Sequence, residues 1–210
     1  MPPGESVTMA TDYVLALAGF AAGAWLWPRA EGAPGRWWAA AFAITGLAAI
    51  LGGTSHGYRP VLATSTHGLI WRLTYVTVGL ANLCVLEGAA LALFTRTGAR
   101  VALFVLIARF AAVSAALVAH GAFRYVLYDY AITLVGLTAF AVTLAARRLA
   151  GGGWVGAGVL VSLLGAVVQL QQVGAGRAFN HNDLFHVVQA AGLLLYARGG
   201  RDLVSRIDVR

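Results

Sequence analysis

Residues 101–119 read VALFVLIARFAAVSAALVA, an uninterrupted apolar run whose single charge is Arg109. A helix rises about 1.5 Å per residue, so a run close to 20 residues long crosses about 30 Å of hydrocarbon, and such a segment reads as a transmembrane helix. Working outward, six further runs of the same kind occur at 12–28, 37–55, 66–94, 124–146, 154–174 and 183–198, each bounded by Pro, Gly, Arg or His. The joins between them are too short to hold a second folding unit. The expected fold is all-α, an integral membrane bundle of seven transmembrane helices in a single domain spanning 1–210.

Composition agrees. Hydrophobic residues make up 60% of the chain and charged residues 11%, with mean hydropathy +0.76, far from the quarter-charged mixture of soluble domains. Glu5 and Asp12 stand ahead of the first run, where a signal peptide would carry basic residues, so the first span is expected to be retained. Cys84 is the only cysteine, which excludes an intrachain disulfide and argues against thiolate ligation of a metal. The net charge of +7 comes entirely from Arg on the cationic side. The Arg residues sit at span ends, where orientation signals sit, so nucleic acid is not expected as a partner.

Counting those Arg residues by side orients the chain. Arg29, Arg36, Arg96, Arg100, Arg147, Arg148, Arg198, Arg201, Arg206 and Arg210 fall on one side, against Arg59, Arg124 and Arg177 on the other. Cations near span ends are retained in the cytoplasm, which puts the N-terminus outside and the C-terminus inside. Trp25, Trp27, Trp37, Trp38 and Trp154 gather at the inner boundary as an aromatic belt would. The expected location is a bacterial inner membrane. Gly19 and Gly23, and likewise Gly156 with Ala157, are placed to let helix backbones approach closely.

With this topology all five histidines lie toward the outer face. His56 ends span two, His67 opens span three, His120 ends span four, and His181 and His186 flank the start of span seven. Neutral imidazole is the commonest transition-metal ligand, and helix ends from separate parts of a bundle can converge on one ion. The stretch Asn180-His181-Asn182-Asp183-Leu184-Phe185-His186-Val187-Val188-Gln189 concentrates polar groups at the mouth of an apolar span, a cost that needs a reason. Asp183 and Asn182 share a helix face with His186, whereas His181 points about 140° away if helical. Helix N-capping is the alternative role for Asn180, Asn182 or Asp183.

Within the spans, Glu87 and Arg109 stand about 12 and 13 Å from the inner ends of their helices, which predicts an ion pair between them. Arg72, Asp129, Gln169, Gln172 and Gln189 sit in the outer halves. They either line a polar cavity below the histidines or form a second buried pair, Arg72 with Asp129, together with interhelical amide bonds.

Seven spans, a His at the end of span two and a His-bearing polar motif opening span seven together resemble the superfamily of alkaline ceramidases, progestin and adiponectin receptors, and the Per1 remodelling proteins. Its members carry a Ser and a His one turn apart in the second core span, an Asp in the next, and a His-x3-His pair in the last. The resemblance places His56 at the span-two His and His186 at the second His of the final pair. Asn182 stands where the first is expected, with His181 beside it; Gly52 stands where the Ser is expected, with Ser55 adjacent to His56; and His67, not Asp, opens span three. The resemblance implies zinc held by imidazoles drawn from His56, His67, His181 and His186, acting on the amide or ester of a membrane lipid. It implies Asp183 or Asp129 as general base or as an orienting group for a ligand His, and Ser55 or Tyr58 as hydrogen-bond donors to the oxyanion. The competing expectation is a receptor, binding protein or transporter component whose polar outer pocket holds a ligand without chemistry. A haem or quinone site is a third.

Overall fold

A computed structural model describes residues 3–176 and 179–204. Arg177, Arg206 and Arg210 of the orientation count lie outside the described residues. Seven α-helices are present among them: α1 Pro3–Leu26, α2 Gly32–Tyr58, α3 Thr64–Leu93, α4 Arg96–His120, α5 Arg124–Ala146, α6 Gly152–Leu170 and α7 His181–Val204. No strand occurs among the described residues. Six helices, α1 to α6, are long and apolar enough to cross a membrane. The seventh run is helical over its full expected extent but falls short in hydropathy, because its first turns carry His181, Asn182, Asp183 and His186 and its last turns Arg198, Arg201 and Asp202.

Most boundaries extend the apolar runs by a turn or so. The change that matters is in α1, which begins at Pro3, nine residues before the expected start of the first span. Glu5, Thr8 and Asp12 are therefore helical. Their spacing of three and four continues into buried Leu15 and Ala16, so all five share the inward face of α1.

Six helices close a ring: α1 packs on α2 and α7, α2 on α3, α3 on α5, α5 on α6, and α6 on α7. Helix α4 stands outside it, packed against α3 and only lightly against α5. Its outer surface is left uncovered, with Phe104 74% exposed, as a face turned to lipid requires. The tightest joint is α1 on α2. A Cβ on Gly19 would come within 2.8 Å of Gly46 N and Phe42 O, and one on Gly46 within 2.9 Å of Ala16 O, so the two backbones touch where both lack side chains. At Gly156, by contrast, a Cβ would meet only Ala141 Cβ at 3.9 Å; the close α5–α6 contact is at Gly152 instead. The largest apolar cluster joins Trp38, Phe42, Phe140, Leu144 and Val155 toward the end of the bundle where α2 begins.

The expected Glu87–Arg109 pair does not form. Arg109 Nε lies 3.2 Å from Asp129 Oδ1, and Asn82 Nδ2 donates to Asp129 Oδ2 at 2.7 Å. The stagger of α4 on α3 is the cause. Phe110 packs against Gly79, 3.3 Å from where a Cβ would be, which brings Arg109 level with Asn82 rather than with Glu87 about 7 Å further along α3. The alternative partner, Arg72, is exposed. Glu87 is 2% exposed, with its Oε2 lacking a hydrogen-bond partner.

Candidate functional site

The ring encloses a cavity of about 470 Å³ walled by every helix except α4. Most of its wall is aliphatic and aromatic, supplied by residues such as Leu15, Phe42, Val85, Leu134, Leu137 and Leu193. Polar groups concentrate at the end where α1 and α7 begin and α2 finishes: Asp12, His56, Gln169, Asn182 and His186 all line it there. This size and mixture is that of a site for a small, mainly apolar molecule held by a few polar contacts.

The start of α7 is built as a reciprocal cap. Asn180 Oδ1 accepts from the backbone N–H of Asn182 at 2.8 Å and of Asp183 at 3.4 Å, while Asp183 Oδ2 accepts from Asn180 N at 2.7 Å. This capping box satisfies helix N–H groups that otherwise have no acceptor. Thr8 on α1 donates to the other Asp183 oxygen at 2.6 Å, and Asn180 Nδ2 donates to Thr8 Oγ1 at 3.2 Å, so the cap is bolted to α1. Three residues further along α7, this register brings His186 beside α1. Its Nδ1 lies 3.1 Å from Thr11 Oγ1 and its Nε2 3.3 Å from Asp12 Oδ1. Across the same end of the bundle, His56 Nδ1 meets Glu5 Oε2 at 2.9 Å, and the ring packs edge-on against Trp71.

Of the residues singled out in the sequence, His56, Gln169, Asn182 and His186 line the polar end of the cavity and Gln189 lies deeper in it, whereas the other three histidines, Ser55, Tyr58, Asp129 and Asp183 do not line it. His67 sits edge-on to Trp71 at a centroid distance of 6.1 Å, outside the cavity wall. His181 is the first residue of α7 and does not line the cavity. His120 stacks on Tyr125 at the exposed end of α4. Asp183 is fully buried with both oxygens engaged in the cap and its α1 contact. Asp129 belongs to the α3–α4–α5 clamp. Tyr58 closes α2 and is 45% exposed. Ser55 is fully buried, and its Oγ has no hydrogen-bond partner. Among the described residues, no three His, Cys, Asp or Glu side chains stand close enough together to form a ready-made metal cage.

Sequence reasoning missed Asp12, Glu5 and Thr11. The signal was present in the periodicity: Glu5, Thr8 and Asp12 fall on the stripe that continues through Leu15, Ala16 and Gly19. Asp12 reaches the site because α2 presents Gly52 and Gly53 to it. A Cβ on Gly53 would stand 2.9 Å from Asp12 Cβ, and one on Gly52 3.5 Å from Asp12 Oδ1. Deeper in the cavity, Gln189 and Tyr130 bond each other at 2.8 and 3.1 Å, and Tyr196 donates to Ser162 at 3.2 Å, so that part of the wall is polar but already satisfied.

Fold and site together define a helical bundle of the integral-membrane type, with an internal apolar cavity capped by paired carboxylates and imidazoles. The chain belongs to the DUF6962 family, a family of unknown function whose profile matches residues 7–205. No curated protein and no solved structure matches it.

Proposed function

We propose that the chain crosses the membrane seven times, with its N-terminus outside, and acts near the outer face as a zinc-dependent hydrolase of a lipid amide or ester. The observation that carries this reading is that His56 and His186 both line the polar end of a 470 Å³ cavity whose remaining wall is chiefly apolar. Such a cavity takes up an acyl chain and leaves its polar linkage at the imidazoles. His56 Nδ1 faces Glu5 and His186 Nδ1 faces Thr11, so the Nε2 of each, that of His186 lying 3.3 Å from Asp12 Oδ1, is the atom that would serve as a zinc ligand. When bound, zinc polarises the carbonyl and makes water nucleophilic at neutral pH. The chain's own residues supply the rest. Trp71, Leu15 and Phe42 exclude water from the substrate chain, and the Gln169–Asn182 hydrogen bond, 3.1 Å, fixes two amides beside the linkage.

One feature supports the orientation. At the opposite end of the bundle Arg29 and Arg201 lie over Trp25 and Arg198 over Trp154, at 5.4, 5.7 and 5.4 Å from the ring centroids. Three Arg residues gathered at that end, against the single Arg124–Tyr125 contact at the other, follow the bias of basic residues toward the cytoplasmic side.

The test is release of fatty acid from lipid amides and esters by purified protein. His56→Ala and His186→Ala should each abolish it while His120→Ala leaves it intact. Full activity in both of the first two variants would reject the reading. The satisfied polar wall formed by Tyr130, Gln189, Ser162 and Tyr196 favours a second reading, a ligand-binding protein without chemistry. Saturable lipid binding with no turnover under any metal condition would select it.

A further inference from the structure

We infer that the polar end of the cavity binds the ammonium group of a single-chain amphiphile, with the Asp12 carboxylate and the Gln169 amide oxygen as its acceptors. The inference concerns the head group of the ligand and rests on neither the metal nor the hydrolysis proposed above.

Asp12 is 4% exposed and lines the cavity, and its Oδ2 has no hydrogen-bond partner. The Gln169 amide commits its Nε2 to Asn182 at 3.1 Å, which leaves its Oε1 a second buried acceptor without a donor. The two acceptors belong to one patch: Asn182 stands about one turn before His186 on α7, and His186 Nε2 meets Asp12 Oδ1 at 3.3 Å. Buried acceptors in this state are costly, a carboxylate most of all, and a bound donor removes the cost. Beside Asp12 the wall stands back. A Cβ on Gly52 would lie 3.6 Å from Asp12 Oδ2 and 3.7 Å from Thr74 Cγ2, so its absence leaves room next to the carboxylate between α1 and α3.

Charge selects the kind of donor. Among the described residues the cavity wall carries the Asp12 carboxylate but no second carboxylate and no Lys or Arg. An ammonium group brings the missing positive charge together with three N–H donors, and charge-assisted bonds of this kind are the strong ones. A hard metal cation would need about six to eight oxygen ligands, more than this patch offers. At the same end His56 packs edge-on against Trp71, whose ring lies 5.4 Å from that of Tyr75, and both aromatic residues line the cavity. Aromatic faces attract a cation rather than repel it. The wall beyond, with Leu15, Phe42 and Leu193, suits an alkyl chain.

Full-length protein in detergent, with chelator present, is titrated with tritiated dodecylamine in a scintillation proximity assay, and unlabelled dodecylamine, dodecyltrimethylammonium, dodecanol and dodecanoate are compared as competitors. The expected result is saturable binding of the amine. Dodecanol, which lacks the charge, and dodecyltrimethylammonium, which lacks the N–H donors, should each compete about tenfold to hundredfold more weakly, the worth of a hydrogen bond to a charged group, and dodecanoate should not compete. Asp12→Asn, checked for monodisperse elution, should bring the amine down to the level of dodecanol, and Gln169→Met should weaken it by about threefold to tenfold. Asp202→Asn, which removes a carboxylate paired with Arg198 at the opposite end, should bind as wild type does. Dodecanol or dodecanoate competing as well as dodecylamine would overturn the inference, a comparison that needs no substitution and holds even if Asp12→Asn fails to fold. Wild-type affinity in a folded Asp12→Asn would overturn it as well. Amine binding without lipid turnover at any metal occupancy would uphold the inference and reject the hydrolase, and lipid turnover by a protein that binds no amine would do the reverse.

Discussion

His186 Nε2 and Asp12 Oδ1 lie 3.3 Å apart, although the two residues are 174 positions apart in the chain and sit on the first and last helices of the ring. The contact is indirect in origin. Thr8 accepts from Asn180 and donates to Asp183, which sets the start of α7 against α1, and the parallel run of the two helices then carries Thr11 and Asp12 to His186. Position in the site is thus a consequence of the cap.

That dependence can be tested at Asn180. Asn180→Ala removes the acceptor for two helix N–H groups and the bond to Thr8. Loss of such a cap costs about 0.5–2 kcal/mol, and the thermal midpoint in detergent should fall accordingly. A variant with unchanged midpoint would show that α7 is positioned by packing alone.

The α3–α4–α5 clamp should be more sensitive. Asp129→Ala leaves the Arg109 guanidinium, whose Nη1 and Nη2 are already buried without hydrogen-bond partners, facing no anion. Breaking a buried pair in this way costs about 3–5 kcal/mol, whereas replacing both members with apolar residues of similar volume, Arg109→Met with Asp129→Leu, should restore most of the loss. Unfolding measurements that found the single variant as stable as wild type would remove the clamp from the account.

Two Gly→Ala substitutions should differ in sign. Gly19→Ala drives a methyl into the α2 backbone, with contacts of 2.8 Å that only a shift of the helices can relieve, and overpacking of this kind costs about 1–3 kcal/mol. Gly153→Ala meets nothing within 4 Å, so the higher helix propensity of Ala should leave stability unchanged or raise it by up to about 1 kcal/mol. Equal effects would mean that the α1–α2 joint is looser than its geometry.

The helices were legible because a bilayer imposes its thickness on the sequence: each crossing needs an apolar run of nearly fixed length, and α5 was delimited to the residue at both ends. That one of Asn180, Asn182 and Asp183 could cap α7 was legible from local chemistry, and the structure gives the role to Asn180 with Asp183 in return. What could not be read was anything that depends on how one helix is staggered on another. Glu87 and Arg109 stand at similar distances from their helix ends, yet the seating of Phe110 on Gly79 gives Arg109 to Asp129. Asp12 and Glu5 were hidden for a different reason. Judged by hydropathy they flank the first apolar run, and only the earlier start of α1 turns them inward. In α1 the inward-facing polar residues are those a hydropathy window excludes.

Membrane orientation is open to a direct check. Reporters fused in the 95–100 and 147–153 connections should report cytoplasm and those at 57–64 the outside, as the Arg distribution requires. The reverse pattern would move the histidine end to the cytoplasmic face and change which lipids reach it.

The central claim is metal-dependent hydrolysis at the His56–His186 end of the cavity, and the most direct measurement is fatty-acid release from a panel of lipid amides and esters by the purified protein as its metal is removed and returned. The account predicts turnover in the preparation as isolated, loss after exhaustive chelation, and recovery on adding about one equivalent of zinc per chain, with no recovery in His186→Ala. Turnover that survives complete removal of metal, or its absence from every substrate at full zinc occupancy, would contradict it.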